Sequence, residues 1–87
     1  MKKLWSDKAW SDYLYWQLQD KKTLKRINNI IRDIERAGRD KKPMAKAEKL
    51  RYSNNNLFSV RIDKQNRIIY AFHKDALYIV SCRGHYK

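Results

Sequence analysis

The chain has 87 residues, 21 Lys and Arg against 9 Asp and Glu, a net charge of +12, and a single cysteine, Cys82. A chain of this length makes one small domain that buries roughly 60 to 65% of the surface it exposes when unfolded, and one cysteine excludes both an internal disulfide and a multi-cysteine zinc site. The charge favours a polyanion, because each neutralised phosphate releases condensed counterions; nucleic acid is the leading partner, with an anionic surface or an acidic protein second.

Lys2 to Trp5 is short and reads as a first strand, at an edge or in the centre of a sheet. No apolar h-region follows Lys2-Lys3, and no stretch approaches the roughly 18 apolar residues of a membrane span. A cytoplasmic protein without a membrane partner is therefore expected. Ser6 is a good helix N-cap and Asp7 suits the positive end of a helix dipole. From Asp7 to Gln19, Ala9, Trp10, Tyr13, Leu14, Trp16 and Leu18 recur at helical spacings and form a broad aromatic face. Aromatic stripes of this kind mostly fill cores, so the expectation is a helix packed on a sheet, with Tyr15 and one tryptophan left for a subunit contact.

Asp20 is a candidate cap for a second helix, in which Leu24, Ile27, Ile30, Ile31, Ile34 and Ala37 give the cleanest period in the sequence. Gly38 stops it. The opposite face carries Lys21, Lys22, Lys25, Arg26, Arg32 and Arg36, which serves equally as a solvated face or an RNA-contacting one. Arg39 to Ala47 holds the only proline and reads as a basic surface loop. A short strand follows at Glu48 to Tyr52, then a polar turn at Ser53 to Asn56. In Leu57 to Asp63, Phe58, Val60 and Ile62 alternate with Ser59 and Arg61, placing one face on a core. Lys64-Gln65-Asn66 closes a hairpin into Arg67 to Phe72, an apolar strand covered on both faces. His73 to Asp75 turns the chain into Ala76 to Cys82, a second such strand that belongs in the middle of the fold and places Cys82 as a small buried thiol. The architecture is α+β: a strand, two helices, then an antiparallel meander, one domain over residues 1–87 with both helices on one face of the sheet.

The terminal strand delivers Arg83, His85 and Tyr86 to the edge of the core. The meander puts Arg67 at the start of one strand beside His85 near the end of its neighbour, with Arg61 one strand further on and Glu48 and Arg51 beyond. A carboxylate, guanidiniums, an imidazole and a phenol on one sheet face match the needs of RNA cleavage by the RNA's own 2′-hydroxyl: a base, cations around the in-line phosphorus, and an acid for the departing 5′-oxygen. No metal or other cofactor is required. Each residue alone has an ordinary structural role, a surface ion pair for a glutamate or a polar filler for a histidine. Two other readings remain open: a non-catalytic nucleic-acid-binding module of the same scaffold, and an inert protein that only binds a partner.

Lys-Leu-Trp-Ser at the start, Trp10 to Trp16, the segment Phe58 to Tyr70, and the ending Cys82-Arg-Gly-His-Tyr86 together resemble the Txe/YoeB branch of the RelE-type toxins of bacterial toxin–antitoxin systems. The likeness runs from Lys3 to Tyr86. It implies a small sheet carrying two helices, and an mRNA interferase: an endoribonuclease that cuts mRNA in the decoding site of the 70S ribosome and is neutralised by an acidic antitoxin of the YefM/Axe kind. It further implies Glu48 as general base, Arg67 as the phosphate-stabilising arginine, His85 as general acid and Tyr86 as the neighbouring aromatic of the catalytic set. Lys49, Arg51, Arg61 and Arg83 would be the RNA-binding cations. Relatives have lysine where Arg51 stands, Pro-Glu-Pro-Leu-Lys where this chain has Ala-Glu-Lys-Leu-Arg, and in some members a bulky aromatic where it has Gly84. The family often forms homodimers, with the aromatic face of the first helix as a candidate contact.

Overall fold

The structure, a computed structural model, describes residues 1–44, 46–50 and 56–84. In chain order the elements are β1 (Lys2–Trp5), α1 (Asp7–Gln19), α2 (Lys21–Ala37), β2 (Glu48–Lys49), β3 (Phe58–Arg61), β4 (Arg67–His73) and β5 (Ala76–Ser81). The strands form one sheet in the order β1-β5-β4-β3-β2. β1 runs parallel to β5, and the other neighbours are antiparallel. The expected order of elements and the α+β layering therefore hold, and β5 lies inside the sheet. No helix of the described residues is long and apolar enough to cross a membrane.

Local chemistry explains where the helices begin and end. The Ser6 hydroxyl oxygen accepts the Ala9 amide at 2.9 Å, satisfying one of the free donors of the first turn. The same hydroxyl donates to the Val80 carbonyl at 2.6 Å, and the Ser6 amide donates to the Ile79 carbonyl at 3.0 Å. The cap of α1 is thus also its attachment to β5. Asp20 caps α2 by accepting from the amides of Lys22 and Thr23 at 3.1 and 3.2 Å and from the Thr23 hydroxyl at 2.8 Å. The Thr23 hydroxyl bond, the largest cause, holds the Asp20 carboxyl below its ordinary range. Gly38 ends α2 at φ 73°, a left-handed value that side chains other than glycine resist, while its amide donates to the Ile34 carbonyl at 3.0 Å.

Strand alternation sorts side chains onto the two faces of the sheet. Val60, Ile62, Ile68, Tyr70, Leu77 and Ile79 pack under the helices with Ile27, Ile30, Ile31 and Ile34 of α2. The second face holds a smaller cluster of Leu57, Ile69 and Ala71, flanked by Leu50 and Val80. Among the described residues that face carries no helix, which corrects the expectation for the terminal strand: β5 is not covered throughout on both sides, and Tyr78 is exposed. β4 fits the expectation better, with Ile68, Ile69, Tyr70 and Ala71 all buried.

A second correction concerns α1. Its buried residues are Ala9, Asp12 and Trp16, whereas Trp10, Leu14 and Leu18 are 49, 41 and 85% exposed. The helix is rotated so that a carboxylate faces inward and a stripe at i, i+4 and i+8 faces outward. The buried carboxylate has partners that make this arrangement tolerable. Lys8 donates to Asp12 Oδ2 at 2.8 Å, and the Cys82 amide donates to the same oxygen at 3.1 Å.

Candidate active site

The site residues lie on and around the β2-β3-β4 part of the sheet. Register pairs Glu48 with Ser59, Ser59 with Ile69, and Arg61 with Arg67. Residues directly opposed across strands share a face, so Glu48, Ser59, Arg61 and Arg67 all belong to the side away from the helices. The Arg67 guanidinium reaches diagonally to donate to the Ser59 hydroxyl at 3.1 Å. Ser59 is buried and therefore stands between Arg67 and the exposed Glu48 as their common neighbour. Arg61 and Arg67 place two like charges directly opposite one another, an arrangement that costs stability in the absence of an anion. Among the described residues neither takes part in an ion pair.

The β3–β4 hairpin fixes this pairing. Asp63 accepts from the amides of Gln65 and Asn66 at 2.8 and 2.7 Å, and Asn66 Nδ2 donates to both Asp63 carboxylate oxygens at 3.1 Å. The Ile62 amide donates to the Asn66 carbonyl at 2.8 Å. Partial burial pushes the Asp63 carboxyl up, but the hydrogen bonds from Gln65 and Asn66 outweigh it and the net shift is downward.

The end of β5 meets the same hairpin. Gly84 donates its amide to Asn66 Oδ1 at 2.9 Å and accepts the Arg67 amide on its carbonyl at 3.1 Å. The last described residue of the chain is therefore seated beside Arg67. His85, Tyr86 and Arg51 lie outside the described residues. The remaining two cations go elsewhere. Lys49 is opposite Phe58 and lines a cleft with Arg39, Lys42, Tyr70 and Phe72 on the helix side of the sheet. The Arg83 guanidinium lies 3.6 Å from the centroid of the Tyr15 ring on α1. The structure thus places Glu48, Arg61 and Arg67 on one face of the sheet, with Glu48 also bordering the cleft that Lys49 lines, while the Arg83 head group is directed to Tyr15.

Sequence reasoning missed Ser59, Asn66 and Asp12. Ser59 looked like the polar member of an alternating strand, and Asn66 like a turn residue. Asp12 carried a usable signal: it sits three residues after Ala9 and four before Trp16, on a line with two residues that are buried. Two reactive-looking side chains are inert by their surroundings. Burial, with Asp12 adding to it against Lys8, pushes the Cys82 thiol up to about 12, and burial with Asp33 nearby pushes the Tyr70 phenol up to about 12. Neither ionises near neutrality. Among the described residues, no group of three or more His, Cys, Asp and Glu side chains is placed to hold a metal ion.

Comparison with known proteins agrees with this architecture. Residues 5–86 match the family model described as a YoeB-like toxin of bacterial type II toxin–antitoxin systems. The chain is 42% identical to the toxin YoeB of Escherichia coli K12 over 86 residues, covering 99% of this chain and 100% of that one. It is 39% identical to the toxin YoeB of Synechocystis over 87 residues, covering 100 and 99%. Among solved structures, the YoeB/ParE toxin from Agrobacterium tumefaciens superposes with a TM-score of 0.86 at 30% identity, covering 99 and 100% of the two chains. The YoeB dimer from Staphylococcus aureus gives 0.86 at 36% identity, covering 99 and 98%. The YoeB-YefM complex from the same organism gives 0.84 at 34%, again covering 99 and 98%. With a matched model spanning nearly its whole length and full-length relatives at about 40% identity, the chain belongs to the YoeB-like toxins of bacterial type II toxin–antitoxin systems.

Proposed function

We propose that this toxin is a ribosome-dependent endoribonuclease that cuts mRNA without a metal, through attack of the RNA's own 2′-hydroxyl. The observation that carries this reading is the register that sets Glu48 opposite Ser59 and Arg61 opposite Arg67, with the Arg67 guanidinium donating to the Ser59 hydroxyl and its amide to the Gly84 carbonyl. In the reaction Glu48 takes the 2′-hydroxyl proton, and the 2′-oxygen forms a bond to phosphorus as the bond to the 5′-oxygen breaks. His85, next in sequence after Gly84, returns a proton to that oxygen, with Tyr86 flanking the reacting nucleotide. Arg67 and Arg61 supply fixed positive charge where the equatorial oxygens gain negative charge. A need for the 2′-hydroxyl makes the activity specific for RNA. The net charge of +12 supports docking on ribosomal RNA, with Arg51, Lys49 and Arg83 as further phosphate contacts in the cytoplasm where ribosomes work. Primer extension on a translated message tests the whole scheme. Cleavage is expected with ribosomes and absent without them, and it leaves a 2′,3′-cyclic phosphate or its hydrolysis product. Binding without scission under all conditions would replace it with the non-catalytic nucleic-acid module.

The partners follow the same logic. Solved relatives include a YoeB-YefM complex and a YoeB dimer, and for this chain we infer an acidic YefM-like antitoxin on the cationic surface and self-association through α1. The outward stripe Trp10, Leu14, Leu18 lies on a helix that carries only Asp7, Lys8 and Asp12 as charged residues. In a molecule of net +12, a surface nearly free of charge is where a second copy meets the least repulsion. Replacing Trp10 with glutamate is expected to shift a homodimer to monomer in light scattering at micromolar concentration. A dimer unaffected by that change would place the interface elsewhere.

A further inference from the structure

The strand end that precedes His85 is held from two sides by side chains of α1 and of the β3–β4 hairpin. Asp12, buried on α1, accepts the Cys82 amide at 3.1 Å, and the Trp16 indole N–H donates to the Cys82 carbonyl at 2.9 Å. Lys8 donates to the Arg83 carbonyl at 3.2 Å while holding Asp12 at 2.8 Å, and the Arg83 guanidinium stacks on Tyr15. On the other side, Asn66 and the Arg67 backbone take both polar groups of the Gly84 peptide. Every residue from Cys82 to Gly84 is therefore anchored through its backbone, Cys82 and Arg83 to α1 and Gly84 to the β3–β4 hairpin.

Residues that leave a last strand are ordinarily loose unless something ties them down, and here Cys82, Arg83 and Gly84 are each tied. A buried carboxylate is a costly way of tying them, and it is tolerated because the Cys82 amide and Lys8 both pair with it. An apolar contact leaves the peptide free to slide, whereas the Asp12 and Trp16 hydrogen bonds set both the height and the rotation of the Cys82 peptide. Gly84, at φ 91°, then turns the chain at a point fixed by Asn66.

We propose that Asp12 is a positioning residue for RNA cleavage, which together with Trp16 and Asn66 forms a mount that fixes Cys82 to Gly84, the segment that leads into His85, beside Arg67. The inference rests on the ribonuclease reading above. Acid-base catalysis is sensitive to displacements of the order of 1 Å, so a mount of this kind acts on the chemical step more than on docking.

Single-turnover cleavage on programmed ribosomes with Asp12→Ala, Asp12→Asn and a core control separates these roles. Asp12→Ala is expected to lower the maximal rate about 30-fold while the half-saturating ribosome concentration stays within about threefold. Asp12→Asn, whose amide oxygen still accepts the Cys82 N–H, is expected to recover to within about threefold of the parent. Ile34→Val loses packing on the other helix and keeps the parental rate, which separates positioning from general destabilisation. Amide exchange at Cys82 and Gly84, read on the folded protein, should quicken in Asp12→Ala and not in Ile34→Val. Equal rates for the parent and Asp12→Ala, or a loss shared by Ile34→Val, would overturn the positioning role and leave the ribonuclease standing. Absence of cleavage by the parent would overturn the ribonuclease reading itself.

Discussion

Replacing Arg67 with alanine is expected to reduce mRNA cleavage by about 10²- to 10³-fold with little change in folding or ribosome binding. The magnitude is that of removing one preorganised donor aimed at developing negative charge. The Arg67 guanidinium is preorganised in this sense: Ser59 holds it at 3.1 Å, and register fixes Arg61 directly across the strand. On the cleavage scheme proposed above, two opposed guanidiniums repel in the empty site and would be relieved by a phosphate, most of all as the phosphorane gains charge, which weights the interaction towards the transition state. The fold is spared because the contact that seats the chain end is made by the Arg67 backbone amide on the Gly84 carbonyl, which alanine retains. Lysine at position 67 keeps the charge but not the fork that can contact Ser59 and a phosphate oxygen together, and is expected to recover only part of the rate. Single-turnover rates against ribosome concentration decide the matter. An Arg67→Ala toxin that cleaves at the parental rate would remove Arg67 from the chemistry.

The parts legible in the sequence are those where one local rule dominates. Ser6, Asp20 and Gly38 mark helix ends because unsatisfied backbone groups there select short polar side chains and glycine, and the helix bounds follow them closely. The isoleucine period of α2 reads directly as its buried face for a similar reason, since no polar residue competes along that line. The face of α1 was misread because two stripes overlap on it. Trp10, Leu14 and Leu18 give the more hydrophobic face, but Ala9, Asp12 and Trp16 are the ones the sheet accepts. Small Ala9 permits close approach to Cys82, and Asp12 finds donors that exist only once β5 is in place. No window along the helix contains that information. The same limit applies to the site: the strand order predicted that Arg61, Arg67 and Glu48 would share a face, while the place of Ser59 between Glu48 and Arg67 depends on the exact register of β2, β3 and β4.

The largest expected effect on stability is at Ile79, and its neighbour Tyr78 supplies the contrast. Ile79 is fully buried, pairs with Trp5 on one side and Tyr70 on the other, and packs in the core under the helices. Truncation to alanine removes buried methyl groups from a site walled by strands that cannot close in, so a loss of about 3 to 4 kcal/mol is expected. For a domain of this size that lowers the melting temperature by roughly 15 to 25 °C. Out of a total stability on the order of 5 to 15 kcal/mol, the variant would stand near the limit of folding. Tyr78, one residue earlier, points to the face without helices and is 38% exposed. Tyr78→Ala is expected to cost about 1 kcal/mol or less. Urea titrations of the two variants measure the difference, and parallel slopes would show that the unfolded state is unchanged. Comparable losses at both positions would mean that both faces of β5 are covered in solution, contrary to the single helix layer. A larger loss at Tyr78 would require the strand to pair with β1 and β4 one residue out of the register described.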